Sequence, residues 1–331
     1  MVMADDQLEA LRRHGFGVAY RMLGSVSEAE DVAQEALLRL TRQEQTIDEP
    51  AAWITTVATR LSINVLTSAR VRREAYVGPW LPEPLLEDPA PDPASHAEVA
   101  DSLSLALLVL LERLNPVERA AYLLREVFGY DYEQIARIID RTEVNARQLV
   151  TRARKHIEAS RPRFDADEAS RDALLERFLA AAEEGDLAAL EEMLAEDAVL
   201  YADGGGKAMA VPEPLVGPAL IARFMAAVAH ATAGTVESRA VKVNGQPGLI
   251  MRGPADPPID EQQRVAALEA QARLLAGDLD AQRLGEIMRQ AREATPHGDE
   301  VRVISVLTVD VVDGRIQAVR VVRNPDKLAH L

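Results

Sequence analysis

The chain has 331 residues, a formal net charge of −16, 48% hydrophobic residues and 4% aromatic residues. This length accommodates two or three compact domains. Cysteine is absent, which excludes disulfides, thiolate metal sites and thiol switches. The longest apolar run is too short to span a bilayer and the N-terminus has no signal-peptide core, so we expect a cytoplasmic protein without membrane contact.

Charge is distributed unevenly along the chain. Residues 141–163 hold seven basic side chains against two acidic ones, and residues 60–73 hold four arginines and no acid. Residues 165–197, in contrast, hold twelve acids against two arginines. Because a phosphate backbone is met by a local basic patch, the acidic total does not exclude a nucleic-acid partner.

Apolar residues at helical spacing predict helices over the first 75 residues. Ser25-Val26-Ser27 is a break with an N-cap candidate, and a polar loop with Pro50 precedes a third helix from about residue 51 to 73. The face of the second helix is formed by Ala29, Val32, Ala33, Ala36, Leu37 and Leu40.

Residues 77–100 predict a stiff acidic linker. Six prolines lie between residues 79 and 93, and six acids with no basic residue lie between 83 and 101. Prolines at this density favour extended backbone. The string Trp80-Leu81-Pro82-Glu83-Pro84 lies in this linker.

Residues 101–162 predict a helix-turn-helix. One apolar helix face ends before a polar turn at 140–142, and a second face repeats at helical spacing from Ala146 to Ile157. The opposite side of the second helix is polar and basic, as in a recognition helix whose amide and guanidinium groups reach base edges and phosphates. The candidate DNA-binding residues on this side are Asn145, Arg147, Gln148, Thr151, Arg152, Arg154 and Lys155.

From residue 168 to 331 the pattern changes to that of an α+β domain. Helices are predicted at about 172–184, 186–195 and 217–230, and strands at 199–201, 301–309 and 316–323. Asp313-Gly314 is a hairpin-turn signal between the last two strands.

Residues 253–298 interrupt two strands of this domain. Prolines bound the segment, and apolar residues inside it predict two short helices joined at Gly277-Asp278. We expect a helical hairpin that projects from the domain and is not part of its sheet. Its apolar stripes are Val265, Leu268, Ala272 and Leu275, then Leu284, Ile287, Met288 and Ala291.

The helical part resembles the extracytoplasmic-function sigma factors of RNA polymerase. The string 28–35 (EAEDVAQE) is similar to their region 2, and strings 115–119 (NPVER), 124–130 (LREVFGY) and 151–154 (TRAR) are similar to region 4. The resemblance implies core polymerase and promoter DNA as partners, with region 2 at 1–76 and region 4 at 101–162. It implies polymerase contacts by Asp31, Gln34, Glu35 and Leu38, and −10 contacts by Arg60, Asn64, Arg70, Arg72 and Arg73.

Three further strings resemble those of a subgroup, the sigma-J-like factors with a fused SnoaL-like C-terminal domain. They are the Trp80–Pro84 string, Asp203-Gly204-Gly205-Gly206-Lys207 and Asn324-Pro325-Asp326-Lys327-Leu328. The resemblance implies two all-α sigma modules followed by a cone-shaped α+β domain of SnoaL/NTF2 type that regulates them. We expect the Trp80–Pro84 string to meet the Asp203–Lys207 string, with Trp80 against the glycine loop and Lys207 reaching Glu83.

Two other classes of protein remain open at this stage. A DNA-binding ligand sensor would keep the helix-turn-helix without a polymerase-docking face. A SnoaL-type enzyme fused to a DNA-binding module would need a pocket acid, for which Asp203, Tyr201 and His230 are the polar candidates. A single acid and a lone histidine are more often structural, so we expect no catalysis, no metal and no cofactor, while a small-molecule ligand of the C-terminal domain stays open.

Overall fold

The computed structural model describes residues 4–45, 47–74, 76–86, 104–158, 168–255, 259, 261–294 and 300–331, without the side chains of 69–74, 168, 261, 264 and 294. The chain forms two compact units. Met1–Ala75 and Asp101–Arg161 make the first, which we call the helical unit. Tyr76–Ala100 and Pro162–Leu331 make the second, which we call the α+β unit.

Three helices open the helical unit: α1 (Asp5–Leu23), α2 (Val26–Thr41) and α3 (Pro50–Glu74). Gly24 ends α1 in the left-handed region with φ +65°, which glycine adopts without strain. Ser25 caps α2 by accepting the Glu28 amide. The three helices bury a common core to which Trp53 adds a partly buried side chain.

The second half of the helical unit contains α4 (Leu105–Leu111), α5 (Pro116–Glu126), α6 (Tyr132–Ile139) and α7 (Glu143–Glu158). Capping boxes at Asn115 and Asp131 fix the starts of α5 and α6. Asp140 ends α6 at φ +53°, so the turn into α7 is as short as the sequence predicts. Both α5 and α6 pack against α3, and α5 also packs against α1.

The α+β unit is built on one six-stranded sheet with the order β2-β1-β6-β5-β4-β3. The pair β1/β6 is parallel and the other pairs are antiparallel. The elements in chain order are α8 (Glu168–Glu184), α9 (Leu187–Met193), β1 (Leu194–Asp203), β2 (Leu215–Val216), α10 (Pro218–Thr232), β3 (Glu237–Val243), β4 (Gln246–Pro254), α11 (Glu261–Ala276), α12 (Ala281–Ala294), β5 (Val301–Val312), β6 (Arg315–Val322) and α13 (Pro325–Leu328).

Two tight hairpins order the sheet. Asp313 and Gly314 both have positive φ (+49° and +73°) and join β5 to β6, as predicted. Asn244 and Gly245 do the same between β3 and β4, with φ of +52° and +74°. The strand β3 was not predicted, although its Asn-Gly turn is a strong hairpin signal in the sequence.

The prediction of a projecting hairpin at 253–298 is wrong. The two helices exist, but Leu274, Leu279 and Leu284 belong to the core of the α+β unit, and α12 packs along α10. The predicted stripe of α11 is also wrong, because Val265, Leu268 and Leu275 are 45–50% exposed. The hairpin is thus a wall of the domain.

Candidate functional site

The polar side of α7 is presented as the sequence predicts. Its apolar face is buried in the helical unit, and the candidate DNA-binding residues are exposed except Asn145, which is half-buried. Several of these arginines pair with acids of their own unit: Arg147 with Glu143 at 2.9 Å, and Arg154 with Glu126 at 2.6 Å. Such exposed pairs contribute little to stability, so a phosphate can replace the carboxylate at small cost.

The polymerase-contact candidates lie on one side of α2. Asp31, Gln34 and Leu38 are exposed and Glu35 is half-buried, with the Glu35 carboxylate 2.7 Å from Arg39 Nε. Leu38 is one of the exposed large apolar residues of the described chain, at 41%. A mixed face of this kind suits protein docking more than burial within its own unit.

Arg60, a predicted −10 contact, is bound within the helical unit at the end of α6. Its Nε and Nη2 donate to the carbonyl oxygens of Ile138 and Arg137 at 2.9 and 2.8 Å, where α6 ends. Carbonyls at a helix C-terminus are favourable partners for a cation. Asn64 is exposed on α3, whereas the side chains of Arg70, Arg72 and Arg73 lie outside the described residues.

A second arginine joins the two halves of the helical unit. Arg119 of α5 is 3% exposed, and its Nη1 donates to the Met22 carbonyl at 2.6 Å and to Glu112 at 2.5 Å. Sequence reasoning marked this residue only as part of a family string. Arg60 and Arg119 therefore both hold the α1–α3 bundle against the helix-turn-helix.

The α+β unit contains a buried charged cluster that we call the clasp, formed by Tyr76–Leu81, Asp203 and Asn324–Lys327. Asp203, at the end of β1, is 0% exposed. Its carboxylate accepts from the Tyr76 hydroxyl at 2.5 Å, the Leu81 amide at 2.8 Å and the Lys327 ammonium at 2.7 Å. Burial and the Asp203 carboxylate raise the pKa of Tyr76, which keeps its hydroxyl a donor.

Lys327 is the cation of the clasp. It is 6% exposed, also donates to the Leu81 carbonyl, and lies over the rings of Trp80 and Tyr76 at 4.2 and 4.9 Å from their centroids. Asn324 closes the cluster by donating to the Tyr76 hydroxyl at 2.8 Å. One ammonium is thereby surrounded by linker groups on several sides.

The parallel pairing of β1 with β6 brings these residues together. Asp203 is opposite Val322, so both strands end at the same edge, and the Asp203 carbonyl accepts the amides of Arg323 and Asn324 at 2.7 and 2.9 Å. The segment that follows β6 must therefore pass beside Asp203, which places Lys327 over it.

The glycine string makes room for the linker. Gly205 and Gly206 have φ of +58° and +68°, and a Cβ on Gly205 would lie 2.8 Å from the Tyr76 hydroxyl and still closer to Asn324. A Cβ on Gly206 would lie 3.2 Å from Val77. Gly205 and Gly206 thus allow close approach of the linker.

Lys207 corrects one expectation. It forms an exposed ion pair with Asp326, where the sequence led us to expect Glu83. Trp80 contacts Lys327, while the glycine loop meets Tyr76 and Val77 instead. The linker and the glycine loop do meet, but through a different set of pairs, and the Asn324–Leu328 string joins them.

The rest of the described linker is also held. Leu81 is 1% exposed, and Pro82 and Pro84 are buried, with the Pro84 carbonyl 2.9 Å from His330 Nε2. The Leu85 amide donates to the Asn244 side-chain oxygen at 2.9 Å, and the Asn244 amide donates to the Leu85 carbonyl at 2.8 Å. Residues 76–86 therefore lie extended along the α+β unit.

Comparison with known proteins gives the family. The models "Sigma-70 region 2", "Sigma-70, region 4" and "SnoaL-like domain" match residues 8–72, 104–157 and 175–319. The ECF RNA polymerase sigma factor SigJ of Mycobacterium tuberculosis H37Rv is 37% identical over 225 residues, which cover 67% of this chain and 72% of SigJ. The chain belongs to the ECF RNA polymerase sigma factors.

A second relative and a solved structure of SigJ agree. The probable ECF sigma factor SigI of M. tuberculosis H37Rv is 34% identical over 215 residues, covering 64% of this chain and 74% of SigI. The crystal structure of M. tuberculosis SigJ aligns with a TM-score of 0.68 at 28% identity and covers 98% of both chains. This sigma factor directs RNA polymerase to promoters, and its architecture is two helical sigma modules with a SnoaL-like α+β domain.

The three polar candidates for a catalytic site in the SnoaL-like domain, Asp203, Tyr201 and His230, have different surroundings. Asp203 is committed to the clasp, and the Tyr201 ring lies 5.8 Å from the guanidinium of Arg320, which forms a buried pair with Asp310. His230 is exposed near the end of α10 and lines a cavity of about 700 Å³. Among the described residues of this sigma factor, no group of acids and histidines could hold a metal, and no helix is long and apolar enough to cross a membrane.

Proposed function

We propose that the SnoaL-like domain of this sigma factor regulates promoter recognition by holding residues 76–86 in the clasp. The observation that carries the proposal is the buried Asp203 carboxylate, which takes hydrogen bonds from Tyr76 and Leu81 of the linker and from Lys327 of the tail. Because Tyr76 follows α3 by two residues, the state of the clasp fixes the start of the tether between the two sigma modules.

We expect the clasp to have two states, closed and open, without a stable intermediate. Desolvated charges are stable only while every partner is present, so loss of one partner leaves the others buried and uncompensated. A linker tethered to its own binding site is engaged at high effective concentration, so the closed form needs only modest intrinsic affinity. A signal that removes one contact would therefore release the linker.

Promoter recognition requires the two helical modules to separate. The −10 and −35 elements are separate sites along the duplex, which rises by about 3.4 Å per base pair. In the helical unit α3 and α6 are in contact through Arg60. A free tether of residues 75–103, which is 29 residues, could span roughly 100 Å. The packed helical unit is thus proposed to be the resting form.

The proposed contacts with promoter DNA and core polymerase are assigned to exposed side chains. We propose that the exposed side of α7 reads the −35 element, that Asn64 and the arginines of α3 contact the −10 element, and that Asp31, Gln34, Glu35 and Leu38 contact core polymerase. Arg60 joins the −10 contacts only after it leaves α6. We propose the domain limits expected from the sequence, 1–76, 77–100, 101–162 and 168–331 with 253–298 as the insertion, except that Tyr76 belongs to the linker.

We further propose that the SnoaL-like domain is regulatory and not catalytic. Support comes from Asp203, the acid that a cyclase-like site would need, because its carboxylate is already bonded to Tyr76, Leu81 and Lys327. A carboxylate so engaged is poorly placed to move protons to a substrate.

Run-off transcription with core polymerase tests the proposal. Lys327→Met removes the buried ammonium, and Lys207→Met is the matched control, since both lysines pair with an aspartate but only Lys207 is exposed. We expect Lys327→Met to change transcript yield several-fold while Lys207→Met stays near the parent. A rise assigns restraint to the clasp and a fall assigns support. An opened linker with unchanged transcription would contradict the regulatory role.

A further inference from the structure

The strand β3 leaves one edge of the sheet of the SnoaL-like domain open. It stands at the end of the strand order and pairs along its whole length with β4 on its inner side. On its outer side, the only bridge among the described residues is the antiparallel one between Leu86 and Val243. The opposite edge strand, β2, has only two residues. An open edge of this length is a template for a further strand.

The backbone groups of β3 point outward at every second residue. The two-residue turn at 244–245 closes on Val243 and Gln246 as a hydrogen-bonded pair. Counting back from this pair, the residues with odd numbers bond to β4, so the amides and carbonyls of Ser238 and Ala240 point away from the sheet. Both residues are exposed. Their backbone groups are thus accessible to a strand that arrives from outside.

The sequence that follows Leu86 is unsuited to this edge. With Leu86 opposite Val243, an antiparallel strand would have to donate to β3 from every second residue, beginning with residue 87. Three of those positions are Pro89, Pro91 and Pro93, which have no amide hydrogen. A strand that fills the edge must therefore come from another chain.

Glu237 and Arg239 make the edge complementary to a second copy of itself. Both side chains are exposed and lie on the same face of the sheet, because they are two residues apart on one strand. If two β3 strands pair antiparallel about a two-fold axis at Ser238, each Glu237 is directly opposite the Arg239 of the second copy. Opposite charges in directly opposed positions stabilise a strand pair, whereas like charges destabilise it.

The neighbouring strand extends this charge pattern. On β4, Arg252 is aligned with Glu237, and Ile250 is aligned with Arg239. In the symmetric pair, each Glu237 carboxylate would therefore lie between two guanidinium groups, one from its own Arg252 and one from Arg239 of the second copy. No two like charges are directly opposed across the axis. The register is thus favoured by electrostatics on both sides of the new strand pair.

The same axis also suits the backbone. The two Ser238 residues would exchange amide-to-carbonyl hydrogen bonds, and each Ala240 amide would donate to the Val236 carbonyl of the second copy. The Val236 amide itself already donates to the Thr232 carbonyl at 3.2 Å, so the ladder ends at this pair. Ala240, which is exposed, would pack there against the half-buried Val236.

We propose that the open edge of β3 is an interface with a second copy of this sigma factor, paired antiparallel about Ser238 so that one sheet continues through both copies. A ladder this short predicts a reversible dimer whose population rises with protein concentration. The inference does not rest on the clasp. It uses edge residues that belong neither to the clasp nor to the proposed contacts with DNA and polymerase.

Disulfide trapping in the full-length protein tests the register, because the chain has no cysteine of its own. In the symmetric pair the two Cα atoms at position 238 would be about 5.5 Å apart, a separation that a disulfide spans. We expect Ser238→Cys to form a cross-linked dimer under mild oxidation. Ala240→Cys is the matched control, since it is exposed on the same edge but lies opposite position 236, which offsets the two thiols by about 14 Å along the strand. It should remain monomeric on a non-reducing gel.

Sedimentation of charge variants over a range of protein concentrations tests the complementarity. Glu237→Arg alone or Arg239→Glu alone opposes like charges at both symmetric pairs, so each should weaken self-association by about tenfold. An equimolar mixture of the two variants again opposes unlike charges at both pairs and should associate as the parent does. Glu196→Arg is the control, because it makes the same change of charge at an exposed position on β1, and it should leave association unchanged.

Unchanged thermal unfolding of each variant will show that a loss of association is not a loss of fold. The proposal is overturned by a parent that stays monomeric at every concentration, or by equal cross-linking of Ser238→Cys and Ala240→Cys. It is also overturned if the mixed charge variants fail to recover association, or if Glu196→Arg weakens it as much as Glu237→Arg does. Because association is measured without transcription, any of these results leaves the test of the clasp intact.

Discussion

Replacing Lys327 by methionine should open the clasp. Methionine keeps the apolar stem against the rings of Trp80 and Tyr76 but removes the ammonium that pairs with Asp203 at 2.7 Å and donates to the Leu81 carbonyl. The Asp203 carboxylate would remain at 0% exposure without its cation. We therefore expect the closed linker to become unstable while the SnoaL-like sheet stays folded.

The magnitude follows from burial. Removing one partner of a buried ion pair costs about 3–5 kcal/mol, which shifts the closed–open equilibrium by roughly two to four orders of magnitude. The Lys207–Asp326 pair is 52% and 62% exposed at its two side chains. Exposed pairs contribute about 0–1 kcal/mol, so Lys207→Met should shift the same equilibrium by less than about tenfold.

Amide exchange of Leu81 is the direct assay, because its N–H donates to Asp203 only in the closed clasp. We expect protection at Leu81 to fall at least a hundredfold in Lys327→Met and to change little in Lys207→Met. Chymotryptic cleavage within 76–86 should accelerate in parallel. Equal protection in the two variants would show that the buried charge does not hold the linker.

Three further predictions concern single positions. Gly205→Ala should open the clasp, because its Cβ would lie 2.8 Å from the Tyr76 hydroxyl. Gly314→Ala is the control, because Gly314 also has positive φ but its Cβ would meet open space. Amide exchange of Leu81 should rise in the first variant and stay unchanged in the second. Burial, with help from the charge of Arg21, lowers the pKa of His14 below its ordinary 6.5, so the unfolded state binds the proton more readily. Stability of the helical unit should therefore fall as the pH drops below about 6.5, and His14→Gln should flatten this dependence in amide exchange of α1. In Lys155→Ala, the salt dependence of promoter binding should become shallower by about one unit of slope at all sequences. In Gln148→Ala, binding should instead lose base preference at the −35 element. Identical effects of the two variants would contradict the recognition-helix assignment.

The helix-turn-helix could be predicted closely because its signals are local. Asn115 and Asp131 cap their helices within four residues, and the turn at Asp140 follows directly from the end of the apolar repeat. Such signals need no knowledge of distant contacts. The exposure of Gln148 and Arg152 follows from the same repeat.

The hairpin insertion shows where periodicity fails. Alanines cover several sides of α11, so apolar spacing alone favoured Val265 and Leu268, which are exposed, over Leu274, which is buried. The true inward side includes Gln271, whose amide is bound by the Glu213 backbone. A buried glutamine and a cavity wall of small residues both weaken the sequence signal.

The meeting of the linker with the glycine loop could be predicted, but the part taken by the Asn324–Leu328 string and the set of bonds could not. Its pairs depend on the parallel register of β1 and β6, which no local pattern encodes. That register aligns Asp203 with the chain after Val322 and so selects Lys327 over Lys207 as the buried cation. Tyr76 was missed because it lies just before the recognised Trp80 string.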